Sequence, residues 1–179
     1  MKKHVENLQA TRRSFLQMIT LMVMFSLFIL PVKMNGQGAK PNFAGTWAFN
    51  ETKSNLGEGG NFRRATQITV TQDGNNLTAA RVRTNQDGET TTTTEKFTLD
   101  GKECINDTGR GPSKAIVTWS ADGKALNFAI TRTFDRNGET TTMKSTEVWT
   151  LTDAKTLSIL STATFQDNEM KSTLVYDKK

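Results

Sequence analysis

From Asn42 to the C terminus the chain has no apolar run at helical spacing, and apolar and polar positions alternate over short segments instead. Leu126, Phe128, Ile130 and Phe134 fall on one parity, with Asn127, Ala129, Thr131 and Thr133 on the other. That period of two is what a strand with one buried face requires. Turn dipeptides separate the segments at Asp73-Gly74, Asp87-Gly88, Asp100-Gly101, Asp122-Gly123 and Asn137-Gly138, followed by Asp153-Ala154 and Asp167-Asn168. Asp-Gly and Asn-Gly pairs supply the positive φ of tight hairpins. Threonine, 27 times in this region, suits the half-exposed face of a pleated strand because it branches at Cβ. The pattern predicts an antiparallel meander.

An internal repeat sharpens this reading. Residues 73–84 match residues 122–133 at a constant offset of 49, sharing Asp, Gly, Leu, Ala, Arg and Thr. Both copies continue into Gly-Glu-Thr-Thr-Thr and close on Glu-x-aromatic-Thr-Leu, at Glu95 to Leu99 and Glu147 to Leu151. A third, degraded copy runs from Asp153 to Tyr176. Each unit reads as a hairpin. A loop at Asp87 to Glu89 would set Leu77 opposite Leu99, Ala79 opposite Phe97 and Arg81 opposite Glu95. In the second hairpin Leu126 would face Leu151 and Phe128 would face Trp149. Apolar residues then share one face in both hairpins. Eight to ten such strands have an edge problem that closure removes, so the fold predicted for residues 42–179 is an all-β, up-and-down meander barrel.

A different segment precedes it. Lys2, Lys3, Arg12 and Arg13 stand before an apolar stretch from Phe15 to Val32, which gives way to Asn35-Gly36-Gln37-Gly38-Ala39. This order is that of a helical signal peptide over residues 1–36, cleaved near 36–38 and leaving no stable membrane anchor. Thr11 to Leu16 resembles a twin-arginine export signal, with a general secretion leader as the alternative. The implied location is periplasmic or secreted.

Removing the leader changes the charge. The whole chain carries a formal +5, but residues 1–36 hold five of its basic residues and one of its acids, leaving 18 basic and 17 acidic residues. The basic pI therefore belongs to the leader and gives no reason to expect nucleic acid as a partner. The only histidine, His4, lies in the leader, and Cys104 is the only cysteine. Histidine-based triads, histidine metal sites and an internal disulfide are thus excluded from the mature region. Cys104 is expected to be a small, half-buried residue. The glycine-rich stretch from Glu51 to Asn61 lacks the Lys-Thr pair of a phosphate-binding loop and is expected to be a surface loop over the mouth.

The opening segment Phe43-Ala44-Gly45-Thr46-Trp47-Ala48-Phe49 resembles the Gly-x-Trp first strand of the calycin barrels, which comprise lipocalins, fatty-acid-binding proteins and avidins. The resemblance implies that Gly45 lets the first strand bend and that Trp47 packs across the closed end. A basic residue from the last strand would cover that tryptophan. No arginine follows Arg136, which leaves Lys171 as the expected substitute. The chain is similar to a secreted bacterial lipocalin-like domain, and the implied function is binding of a small apolar or amphiphilic ligand.

Charge on the apolar face supplies the candidate site. Arg83 shares the parity of Leu77, Arg132 that of Leu126, Glu95 that of Phe97, and Glu147 that of Trp149. Two arginines and two glutamates are therefore expected to point into the barrel. Buried charges must pair, reach solvent or meet a ligand, and an arginine in an apolar pocket is a receptor for a carboxylate. Arg83, Arg132, Glu95 and Glu147 are the expected ligand-binding residues for an acidic amphiphile, with guanidiniums merely reaching solvent at strand ends as the alternative. No catalytic residue, metal or cofactor is expected. The competing function is a protein-interaction or inhibitor module that uses the loops and an open strand edge, with the Asn50 to Phe62 stretch as its recognition element.

Overall fold

A computed structural model describes residues 39–57, 64–85, 87–109, 111–136, 138–165 and 168–179. The proposed leader and its cleavage region lie outside these residues. Ten antiparallel strands follow one another: β1 (Gly45–Asn55), β2 (Gln67–Asp73), β3 (Asn76–Thr84), β4 (Thr90–Thr98), β5 (Glu103–Asp107), β6 (Pro112–Trp119), β7 (Ala125–Arg136), β8 (Glu139–Asp153), β9 (Thr156–Phe165) and β10 (Asn168–Lys178). They form one sheet in the order β4-β3-β2-β1-β10-β9-β8-β7-β6-β5, a meander whose first and last strands pair. The result is a nearly closed all-β barrel.

The hairpins are those of the repeat: β3–β4, β7–β8 and β9–β10. The registers of β3–β4 and β7–β8, however, sit two residues from the expected ones. Leu77 faces Phe97, Ala79 faces Glu95 and Arg81 faces Thr93. Leu126 faces Trp149 and Phe128 faces Glu147. The first loop is longer than expected because the Asn85 side chain accepts hydrogen bonds from the Asp87 and Glu89 amides at 3.0 and 2.8 Å, so pairing begins only at Thr84 and Thr90. In the second hairpin pairing continues to Arg136 and Glu139. A shift of two preserves parity, so every side chain keeps its expected face.

One end of the barrel is sealed. Phe43 tucks beneath it with its ring 6.2 Å from both Trp119 and Trp149, and its carbonyl accepts the Trp47 indole N–H at 2.9 Å. Trp47 is fully buried, the closing position that the Gly-x-Trp resemblance implies. The basic residue over it is Lys178, its ammonium 5.3 Å from the ring centroid and its backbone paired with Trp47. Lys171, the expected substitute, is instead exposed and ion-paired to Glu169 at 2.7 Å. The reason is register: the strand ends so that position 178 falls beside Trp47. Gly45, at φ +146°, makes room for this crossing, since a Cβ there would stand 2.7 Å from Lys178 Cε.

Above this plug the lumen is filled. Phe128 lies 4.9 Å from Trp149 and 5.3 Å from Phe97, ring centroid to centroid. Ile68, Leu77, Leu126, Leu157 and Ile159 close the remaining space and are likewise buried. These side chains, none more than 3% exposed, pack as a core. Part of the predicted loop is strand: β1 runs through Glu51 to Asn55, with an irregularity against β10, and residues 58–63 lie outside the described set.

The sheet does not close completely. Between β4 and β5 there is no backbone ladder, and side chains supply the link. Asn106 accepts the Lys96 N–H at 2.7 Å and donates to the Lys96 carbonyl at 3.0 Å. Cys104, half-buried as expected, accepts the Thr98 N–H at 3.2 Å.

Candidate binding site

The inward parity of β3, β4, β7 and β8 brings the expected charges together above the aromatic core. Arg81, which alternation places on the same face as Leu77 and Ala79, is the hub of the cluster. Its Nη2 donates to Glu147 Oε2 at 2.7 Å, and its Nε lies 3.3 Å from Glu95 Oε2. The guanidinium also sits 5.3 Å from the Trp149 ring centre. Arg132 Nη2 reaches Glu95 Oε1 at 3.2 Å. Trp149 Nε1 donates to Glu147 Oε2 at 2.8 Å.

The interior thus holds three arginines, one more than expected. Arg81 has no charged counterpart in the second repeat, where Ile130 stands in its place. Its parity alone was the available signal. The two copies also cross-pair across the lumen, with Arg132 of the second taking Glu95 of the first and Arg81 of the first taking Glu147 of the second.

Burial and pairing fix the electrostatics. Burial alone would lower the pKa of Arg81, but Glu147 and Glu95 outweigh it and hold the group above its ordinary value. Burial pushes the Glu147 carboxyl up, yet Arg81, the Trp149 N–H and Arg132 together leave it below the usual range. Both carboxylates are committed to arginines, which gives neither the free proton-transfer geometry of an acid–base pair. Among the described residues no group of three His, Cys, Asp or Glu is placed to hold a metal ion.

Arg83 behaves differently. It lies on the same face as Arg81, one residue from the open end of β3, and is half-buried. No carboxylate lies within ion-pair distance of it among the described residues. Burial lowers its pKa, and Arg81 and Arg132 lower it further by repulsion. Arg132 is also partly open, with 29% of its side chain exposed. Around the cluster four buried polar atoms lack hydrogen-bond partners: Arg81 Nε, Arg132 Nε, Ser113 Oγ and Tyr176 OH. Ser113 is the cross-strand neighbour of Arg132. Charge in the cluster sums to one positive excess, and it faces the mouth.

No protein-family model and no curated protein matches the sequence. Among solved structures, the chain is similar to zebrafish ileal bile acid-binding protein complexed with cholic acid, with a TM-score of 0.51 and 18% identity over 76% of this chain and 98% of that one. The two chains share a barrel fold. The likeness concerns the backbone, and at this identity it transfers no site residue.

Proposed function

We propose that this chain is an exported small-molecule-binding barrel whose ligand carries an acidic group, held at the open end by Arg83 and Arg132. The observation that carries the reading is Arg83, a half-buried guanidinium in the lumen wall without a carboxylate partner among the described residues, whose charge is the one left over beside the otherwise balanced Arg81, Arg132, Glu95 and Glu147. A charge in that position gains from a bound anion what it lacks from the protein. The zebrafish protein of the same fold is complexed with cholic acid, an acidic amphiphile, which supports the same ligand class here. Glu95 and Glu147 serve by holding Arg81 and Arg132 in place. Titration of the mature chain with cholate and with octanoate tests the reading: binding is expected, and Arg83→Ala and Arg132→Ala each weaken it. Unchanged affinity for both acids in both variants would refute it.

Export rests on the leader sequence, and the form recovered outside the cytoplasm is expected to lack residues 1–36. If Arg12→Lys with Arg13→Lys blocks its appearance there, the route is the twin-arginine one.

The packed lower lumen favours a second reading, in which the outer surface makes the functional contact. Ile105 and Ile116, 68% and 41% exposed, lie on β5 and β6 beside the unladdered edge. That reading gains ground if neither acid binds.

A further inference from the structure

We infer that the site admits a compact acid carrying one negative charge, seated head-inward on the arginines with the rest of the molecule in the mouth, and that it does not engulf a long chain. This inference rests on the anion-binding reading above.

Depth is the first reason. Below the arginines the lumen is closed by Trp47, Phe97, Phe128 and Trp149, none more than 3% exposed. At the level of the cluster itself Ser113, Ser161 and Ala163 are no more than 2% exposed. An acyl chain could pass inward only by displacing close-packed rings, and interiors at that density do not yield a channel. A ligand must therefore stop at Arg83 and Arg132.

The walls above the arginines give the second reason. Met143 is the cross-strand partner of Arg132, and Phe134 follows Arg132 on the same inward face; both are half-buried. A thioether and a ring beside the guanidinium suit an apolar substituent, the sulfur chain adapting to its shape. Strand β7 continues four residues past Arg132, to Arg136, which raises this wall by about 13 Å. Beyond that height this wall, as the described residues form it, gives a longer chain no further contact.

Charge is the third. Arg81, Arg83 and Arg132 against Glu95 and Glu147 leave a single positive excess, which one carboxylate neutralises. A dianion would bring an uncompensated negative charge beside two buried carboxylates.

Calorimetric titration of the mature chain with butyrate, octanoate, palmitate below its aggregation limit, succinate and methyl octanoate tests the inference. Octanoate is expected to bind more than about tenfold tighter than butyrate, because each buried methylene contributes up to about fourfold. Palmitate should fall within about threefold of octanoate despite its eight further methylenes, since those lie beyond that wall. Succinate and the uncharged ester should bind at least about tenfold more weakly than butyrate and octanoate respectively. Palmitate binding more than about threefold tighter than octanoate, or succinate matching butyrate, overturns the depth or charge limit while leaving anion binding intact. If none of the acids binds, or if Arg83→Gln with native circular dichroism binds octanoate as the natural chain does, the anion-binding reading fails and this inference with it.

Discussion

Asn106 meets Lys96 as a neighbouring strand would, its side-chain amide taking both the N–H and the carbonyl of one backbone residue at 2.7 and 3.0 Å. A peptide-like side chain thus replaces a rung of the missing ladder between β4 and β5. On the lumen side of the same seam, Arg132 on β7 is tied to Glu95 on β4 at 3.2 Å. Asn106 and Cys104 link the two edges, and the ion pair ties β4 to β7 inside the lumen.

Asn106→Leu removes the edge link and takes from the part-buried N–H and carbonyl of Lys96 their side-chain partner. Each lost bond costs roughly 0.5–1.5 kcal/mol. Hydrogen exchange should show faster exchange of the Lys96 amide than in the natural chain, with β7–β8 amides little changed. Equal protection at Lys96 would mean that the seam is held by something else.

Glu95 is bonded by one arginine and flanked by a second, and it is almost fully buried. Glu95→Ala strands Arg132 and leaves Arg81 with Glu147 alone, and breaking a buried pair from one side typically costs about 3–5 kcal/mol. Chemical denaturation should register a loss of that order. The acid side follows the same logic through Glu147, whose folded pKa lies below the usual carboxylate range. Its contribution is present above the unfolded value of about 4.3 and disappears as pH falls through the folded one.

Tyr176, the only tyrosine of the chain, is fully buried, and burial pushes its phenol up to about 12. Its hydroxyl lies near the Ala65 backbone without a well-formed hydrogen bond. Because the folded pKa exceeds the unfolded value of about 10, the associated stability is complete below pH 10 and is lost as pH rises towards 12. The tyrosinate absorbance should therefore rise late and together with unfolding, whereas a titration centred at the unfolded value with the fold intact would place the phenol in water. Tyr176→Phe, which removes only the unpartnered hydroxyl, should leave neutral-pH stability within about 1 kcal/mol.

Gly45→Ala tests the closed end. At φ +146° a side chain is strained by about 1–3 kcal/mol, and its Cβ would also push Lys178 from the Trp47 ring. Lys178→Met removes only the cation–π contact and should cost about 0.5–1 kcal/mol. Thermal denaturation that ranks the two variants the other way would show that Gly45 is there for another reason.

Alternation and turn dipeptides carried the fold, because parity survives a two-residue error in loop length while cross-strand partners do not. The inward direction of Arg83, Arg132, Glu95 and Glu147 was legible on that basis. The Arg81–Glu147 and Arg132–Glu95 pairs were not, since they join strands that are distant in the chain and depend on how the barrel curls. Arg81 is not a repeat position, since Ile130 stands in its place, and only its pairing with the Glu95 strand marks it as inward. The Lys178–Trp47 contact depends on where β10 ends relative to β1, and the seam depends on side chains standing in for backbone. Neither has a local sequence signature.

The most direct measurement is the side-chain Nε–H resonance of Arg83 in a nitrogen-edited spectrum during titration with octanoate. A saturable shift at Arg83, matched by Arg132, with the Arg132 shift lost in Arg83→Gln and both absent with methyl octanoate, is the expected result. Octanoate binding that saturates while both arginine resonances stay where they were would contradict the placement of the anion at the mouth.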